Sequence, residues 1–271
     1  MTDILEMFSY SFMIRASIVG ILISLCASLI GVSLVLRRNS MIGDGLSHVG
    51  FGAFAIATVL GASPLQFAIP IVIIVSFLIL KINDSTKIHG DARIALISAS
   101  SLAIGIFVIS ITKGVNTDIN NYLFGSILSV NDLEVIISVV LSLVVLLLYI
   151  FSYNKIFAIT FDERFAKSIG IKTNIYNAIF ATLCSIVVVL GMRLMGSLLI
   201  SSLIIFPTLS AMQYFKSFKS VVITSVIIAI TSFVIGLMVS YIYATPTGAT
   251  IVIINLIIFI ILKLISLIRS K

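Results

Sequence analysis

Residues 139–149 read Val-Val-Leu-Ser-Leu-Val-Val-Leu-Leu-Leu-Tyr, an apolar run without alternation of polar and apolar positions. Strands of membrane β-barrels alternate over about ten residues, whereas a helix needs about 20 apolar residues to cross a bilayer. Comparable runs recur along the whole chain. They predict nine membrane-spanning helices, at 14–36, 41–61, 64–81, 93–112, 132–152, 174–192, 195–213, 220–241 and 247–268. We therefore expect an all-α transmembrane helical bundle that forms a single domain over residues 1–271.

The composition supports this interpretation. Hydrophobic residues make up 60% of the chain and charged residues 10%, against roughly 45–50% and about 25% in soluble domains. These values exclude a soluble enzyme and a disordered scaffold, and the scattered basic residues form no patch that would bind nucleic acid. Cys26 and Cys184 lie inside apolar runs, so we expect small buried side chains. The first thirteen residues contain no Lys or Arg, so we expect them to be retained rather than cleaved as a signal peptide.

The distribution of Lys and Arg predicts the orientation, because short cytoplasmic connections are enriched in these residues. With the N-terminus outside and nine crossings, all basic residues except Arg15, Lys113 and Arg193 lie on the cytoplasmic side. The C-terminus is then cytoplasmic. The segment 174–213 allows a second arrangement, in which one long span is followed by a re-entrant half-helix interrupted at Pro207, giving eight spans.

Two connections are longer than simple turns: an outer one at 113–131 and an inner one at 153–173. Within the inner connection, Asp162 is placed to cap a short helix that Gly170 would end. This helix is either a solvated part of the connection or a docking site for a cytoplasmic partner.

The second predicted span begins with a candidate metal site. Asp44 and His48 are four residues apart, so they share one helix face, and no basic residue within the span neutralises Asp44. A carboxylate with an imidazole suits Zn²⁺, Mn²⁺ or Fe²⁺, and ionisable groups inside a membrane are usually functional. Water, backbone or a second copy of the chain must supply the remaining ligands. The alternative is a hydrogen bond between Asp44 and His48 that only positions the helix.

Signatures of catalysis are missing from the sequence. It contains no H-E-x-x-H, no G-x-S-G and no G-x-x-x-x-G-K-[ST], so an ATPase that drove this protein would be another chain. His89, in an inner connection, is expected to be a solvated loop residue.

The chain resembles the permease subunits of bacterial zinc/manganese ABC importers, also called the ABC-3 family. Four motifs occur in the same order as in that family: VLRRNSMIGDGLSH at 35–48, YLFGSIL at 122–128, DERFAKSIG at 162–170 and GMRLMGSLLISSLIIFP at 191–207. Asp44 and His48 match its pore-lining acid and histidine. The segment 162–170 resembles its ATPase-coupling helix, which implies coupling roles for Asp162, Glu163, Ala166 and Gly170. Gly45 is a departure, since relatives often carry Thr or Ala there.

The resemblance implies a multi-pass protein of the bacterial plasma membrane that is not itself an enzyme. Its expected partners are a second copy of the chain, a cytoplasmic ATP-binding subunit and an extracytoplasmic metal-binding protein. No cofactor is expected to be bound permanently; the divalent metal is the transported ion, with zinc favoured and manganese or iron as alternatives. An ion-coupled secondary transporter and, less favoured, an intramembrane hydrolase are the competing interpretations.

Overall fold

The computed structural model describes residue 7 and residues 9–82, 90–112 and 131–269. The described residues are almost entirely helical. In chain order the helices are α1 (Ser11–Leu36), α2 (Met41–Val59), α3 (Pro64–Ile82), α4 (Gly90–Ile111), α5 (Asp132–Phe161), α6 (Glu163–Ser168), α7 (Thr173–Met195), α8 (Ser197–Met212), α9 (Phe218–Tyr243) and α10 (Thr247–Arg269).

The all-α prediction is confirmed, and each of the nine predicted segments falls on one of these helices. Within the part of the chain that is described, seven helices are long and apolar enough to cross a membrane, and two shorter apolar helices lie at Pro64–Ile79 and Ser197–Met212. His89 and most of the outer connection, including the 122–128 motif, fall outside the described residues.

One predicted boundary is wrong. The segment predicted at 132–152 continues as helix to Phe161, so residues 153–161 are not part of a connection. The polar residues Asn154 and Lys155 interrupt the apolar run, but Ile156 and Ile159 keep a three-residue spacing and are buried. This spacing places both side chains on the face that packs against the bundle, and the helix therefore extends beyond its most apolar part.

Helix α2 is held closely by its neighbours through glycines. A Cβ atom at Gly45 would lie 2.5 Å from Cγ2 of Ile94 on α4, and one at Gly52 would lie 2.8 Å from the carbonyl oxygen of Ser101. On the other side, Gly43 faces the side chain of Ile204 on α8. The absence of a side chain at these positions therefore lets α4 and α8 approach α2 closely.

The segment 174–213 is broken at Gly196 rather than at Pro207. Gly196 has φ +91°, a conformation that favours glycine, whereas α8 runs through Pro207 without interruption. A Cβ at Gly191 would lie 2.4 Å from Cδ1 of Ile200, so α7 and α8 fold back on each other as a hairpin. At the far end of α8, Ala211 joins a small cluster with Val32 of α1.

Candidate metal site and coupling segment

Asp44 and His48 lie in the first two turns of α2. The Oδ2 atom of Asp44 is 3.7 Å from Nε2 of His48, which is too long for a hydrogen bond. The Asp44 side chain is 42% exposed and the His48 side chain 21% exposed, so the carboxylate faces open space beside the helix. The hydrogen bond of the alternative interpretation is thus not formed in this structure.

The spacing of these two atoms suits joint ligation of one ion. Donor atoms about 2.1 Å from Zn²⁺ in a tetrahedral arrangement stand about 3.4 Å apart, so a small rotation of either side chain brings both into range. The second ring nitrogen of His48, Nδ1, is buried without a hydrogen-bond partner among the described residues. Ligation through Nε2, the nitrogen beside Asp44, requires the tautomer that carries its proton on Nδ1.

A third residue, which the sequence does not predict, contacts this site. The hydroxyl of Ser201 on α8 donates to Oδ1 of Asp44 at 3.3 Å, and the same hydroxyl lies 3.2 Å from the carbonyl oxygen of Ser197. Ser201 lies within the 191–207 motif, but 157 residues separate it from Asp44, and no spacing rule connects residues that far apart. Its contact orients the carboxylate from the opposite helix.

The protein side chains that the structure brings together here do not complete a metal cage. Among the described residues, no group of three or more His, Cys, Asp or Glu side chains is placed to hold an ion. Cys26 and Cys184 are buried free thiols elsewhere in the bundle, as predicted. The arrangement can therefore bind a divalent ion through Asp44 and His48 and leave its other coordination positions to other donors.

The predicted short helix is present as α6. The side chain of Asp162 accepts a hydrogen bond from the backbone N–H of Phe165 at 2.9 Å, and Glu163 accepts one from Nδ2 of Asn177 at 2.7 Å. Gly170, at φ +85°, ends the segment. Asp162, Glu163 and Gly170 thus all lie in the short segment between α5 and α7.

The two sides of α6 differ. Ala166 is fully buried against the bundle, so its side chain packs inward. Phe165 is 60% exposed, and Phe161 and Ile169 are also exposed nearby. We name Phe161, Phe165 and Ile169 the apolar patch. The sequence does not predict this patch, because the motif at 162–170 does not indicate which side of α6 each residue faces.

At the opposite end of α5 lies a buried ion pair. Nε of Arg193 is 3.0 Å from Oε1 of Glu134, and Nη2 is 3.4 Å from Oε2. Glu134 also closes a capping box with Asn131 at the start of α5. A second pair at this end joins Arg15 to Asp132 and is exposed.

Comparison with known proteins gives a consistent pattern. Residues 9–266 match the family described as "ABC 3 transport family". The chain is 31% identical over 252 residues to the manganese import system permease protein ScaB of Streptococcus gordonii, covering 93% of this chain and 90% of ScaB. It is 26% identical to the high-affinity zinc uptake system membrane protein ZnuB of Haemophilus influenzae, and the alignment covers 93% of this chain and 96% of ZnuB.

A solved structure extends this likeness to the fold. A chain of PsaBC from Streptococcus pneumoniae, determined in complex with Fab, superimposes with a TM-score of 0.85 at 30% identity. The alignment covers 96% of this chain and 94% of that one. The likeness thus extends over nearly the whole chain.

Proposed function

Because the chain belongs to the ABC 3 transport family, we propose that it is the membrane-spanning permease subunit of an ATP-driven importer of divalent transition metal ions. The observation that carries this proposal is the pair of Asp44 and His48, 3.7 Å apart on a membrane helix. A transit site must bind an ion well enough to replace part of its hydration shell and still release it. Two protein ligands, completed by water or by a second copy, suit that requirement better than a closed cage.

Zinc is the favoured cargo, with manganese or iron as alternatives. The imidazole of His48 favours zinc, and the carboxylate of Asp44 accepts all three ions. The relatives support both of the first two ions, since ScaB is named for manganese and ZnuB for zinc. The test is uptake of each metal by cells that lack the gene and by the same cells after complementation. Restoration of zinc uptake alone supports the assignment, whereas restoration of no divalent metal contradicts the function.

The same proposal implies how the complete importer is assembled. Two copies of the chain would line the ion path, with Asp44 and His48 from each copy facing it. A cytoplasmic ATP-binding subunit would hydrolyse ATP, and an extracytoplasmic metal-binding protein would deliver the ion. The family assignment supports these partners and favours an ATP-driven importer over an ion-coupled carrier or an intramembrane hydrolase.

We further propose an orientation in the bacterial plasma membrane with nine crossings, an outer N-terminus and a cytoplasmic C-terminus. The fold-back of α7 on α8 supports an outer hairpin at Arg193. A reporter fused after Lys271 is expected to read cytoplasmic, because nearly all basic connections then lie inside. An extracytoplasmic readout from that fusion would contradict the nine-span arrangement, and a matching fusion at the N-terminus should read outside.

The coupling role of α6 rests on its exposed face. The apolar patch lies next to charged residues of a six-residue helix, a combination typical of a surface that a protein partner covers. Within the segment implied by the resemblance, Asp162 and Gly170 hold the helix ends and Glu163 ties it to α7. Ala166 packs inward, so a bulky substitution there would disturb packing rather than docking.

We expect Phe165→Ala to reduce copurification of the ATPase about tenfold or more, because a large buried side chain at an interface contributes strongly to binding. Metal uptake should fall with it, while insertion of the permease is unchanged. The matched control is Phe151→Ala, since Phe151 is also exposed but lies ten residues before Phe161 on α5. Equal ATPase binding by both variants would show that α6 is only a connection.

A further inference from the structure

The turn between α1 and α2 is short and is held by several backbone hydrogen bonds. Arg37 caps the end of α1, and Arg38 adopts φ +58°. The backbone N–H of Asn39 donates to the carbonyl oxygen of Leu34 at 2.9 Å, and that of Ile42 donates to Asn39 at 3.0 Å. Asp44 follows within the first turn of α2. Backbone hydrogen bonds within this turn thus connect the end of α1, at Arg37, to the start of α2.

Arg37 contacts two other helices through its guanidinium group. Its Nε donates to Oγ1 of Thr160, near the end of α5, at 3.2 Å. Its Nη1 donates to Oδ1 of Asn177 on α7 at 3.0 Å. The guanidinium also lies over the ring of Phe180, 4.9 Å from the centroid. The guanidinium presents five donors in a fixed planar arrangement, whereas the ammonium group of a lysine is a compact charge with three rotatable donors.

Asn177 continues this set of contacts to α6. Its amide oxygen accepts from Arg37, and its amide nitrogen donates to Oε1 of Glu163 at 2.7 Å. Glu163 is the first residue of α6. Two side-chain hydrogen bonds thus connect the first residue of α6 to the turn that precedes the metal site.

The enclosure of the Arg37 side chain between helices is not explained by the excess of basic residues that sets the orientation of the chain in the membrane. The neighbouring Arg38 is exposed and carries a charge on the same side, so a topology signal is present without Arg37. Enclosing a second arginine between helices costs free energy, because the guanidinium loses hydration, unless hydrogen bonds within the protein replace the lost water contacts. Arg37 has such bonds on α5 and α7 and, through Asn177, a connection to α6.

We propose that Arg37 is the positioning residue that transmits movement of α6 to the start of α2, and so to Asp44 and His48. The proposal rests on the docking role of α6 given above. Movement of α6 shifts Glu163, Glu163 shifts Asn177, and Asn177 shifts Arg37 with the turn that it caps. Arg37 itself does not contact the transported ion.

The first test uses two adjacent charge removals in the assembled transporter, reconstituted in lipid vesicles. Arg37→Gln is expected to lower metal transport about tenfold or more, since hydrogen bonds to charged groups are lost, while ATP hydrolysis continues. Arg38→Gln removes the same charge one residue later and should transport and hydrolyse as the unmodified protein does. Arg37→Lys retains the charge but not the planar arrangement of donors, so its metal transport should lie between that of Arg37→Gln and that of Arg38→Gln. Equal transport by Arg37→Gln and Arg38→Gln would overturn the proposal.

The second test exchanges donor and acceptor in the hydrogen bond between Asn177 and Glu163. The substituted side chains are similar in size to the original ones. Asn177→Asp still accepts from Arg37 but places a carboxylate against Glu163, so transport should fall. Adding Glu163→Gln supplies a donor amide on the other side of that bond and should restore most of the transport. Failure of the double variant to recover relative to Asn177→Asp would contradict the transmission path. Because both positions keep polar side chains, this test remains valid if Arg37→Gln does not fold.

A reporter at the start of α2 measures the movement directly. Met41 is exposed, and the native cysteines are buried, so Met41→Cys provides one accessible thiol for a maleimide. Its labelling rate should change when ATP is added to the assembled transporter, and Arg37→Gln should remove that change. An unchanged ATP response in Arg37→Gln would overturn the transmission proposal. If Phe165→Ala still loses the ATPase in that case, the docking role of α6 stands independently; if Phe165→Ala keeps the ATPase, the docking role itself is wrong.

Discussion

Asp44→Asn and His48→Ala are each expected to abolish metal uptake while expression, membrane insertion and ATPase association are retained. Asp44→Asn replaces the charged oxygen ligand with a weaker neutral one, and His48→Ala removes the nitrogen ligand. Among the described residues, no third His, Cys, Asp or Glu joins this pair. Loss of an outer partner alone costs roughly 10–100-fold in metal affinity or activity, and loss of a direct ligand should cost more. The double variant should be little worse than either single one, because both residues serve one site. Uptake of radioactive zinc and manganese in complemented cells measures the effect.

Two further variants sharpen this experiment. Ser47 lies between Asp44 and His48 in the sequence of α2, but its hydroxyl donates to the carbonyl oxygen of Gly43 within that helix. Metal uptake by Ser47→Ala should therefore be unchanged. Ser201→Ala removes the donor to Asp44 and should reduce uptake by an intermediate amount. Wild-type uptake of both ions by Asp44→Asn and by His48→Ala would make the pair a helix-positioning contact, and the ion path would lie elsewhere.

The ion pair between Glu134 and Arg193 should have the largest effect on stability. Arg193→Ala leaves the Glu134 carboxylate, whose side chain is only 8% exposed, buried without its partner. Removing one member of a buried pair costs about 3–5 kcal/mol in the free energy of unfolding. Replacing both charges, as in Glu134→Gln with Arg193→Met, should recover most of that loss, since Gln can also keep the capping box. Unfolding of the purified protein in detergent, followed by circular dichroism, gives the measurement.

The chain contains a matched control for this prediction. Arg15 and Asp132 form a second pair at the same end of the bundle, but their side chains are 45% and 72% exposed. Exposed pairs contribute about 0–1 kcal/mol, so Arg15→Ala should shift the unfolding midpoint only slightly. Equal shifts for Arg15→Ala and Arg193→Ala would mean that burial of the Glu134 pair adds nothing to stability.

The parts of the fold that could be predicted depend on local sequence. An apolar run of about 20 residues predicts a membrane helix by itself, so all nine segments were found. The helix α6 was predicted for a similar reason, because a capping aspartate and a terminating glycine act within a few residues. The end of α5 was placed too early because Lys155 interrupts the apolar run, whereas burial of Ile156 and Ile159 depends on neighbouring helices.

The parts that could not be predicted depend on contacts between distant segments. From the sequence alone, the positive charges of Arg37 and Arg193 indicate only the orientation of the chain in the membrane. In the structure, Arg37 joins Asn177 across 140 residues and Arg193 joins Glu134 across 59. Asp44 and His48 were found because a four-residue spacing places them on one helix face. Ser201 was missed because its relation to Asp44 exists only after α8 has folded back from Gly196.

The contact between Ser201 and Asp44 also makes ion affinity depend on helix register. The two residues lie on different helices, and a shift of α8 along α2 by one residue, about 1.5 Å, would break their 3.3 Å hydrogen bond. The carboxylate would then be free to turn, and the site would hold its ion with a different affinity. By thermodynamic reciprocity, an ion that binds one register more tightly must also favour that register. The cargo would therefore shift the balance between conformations by the same free energy by which the conformations differ in holding it.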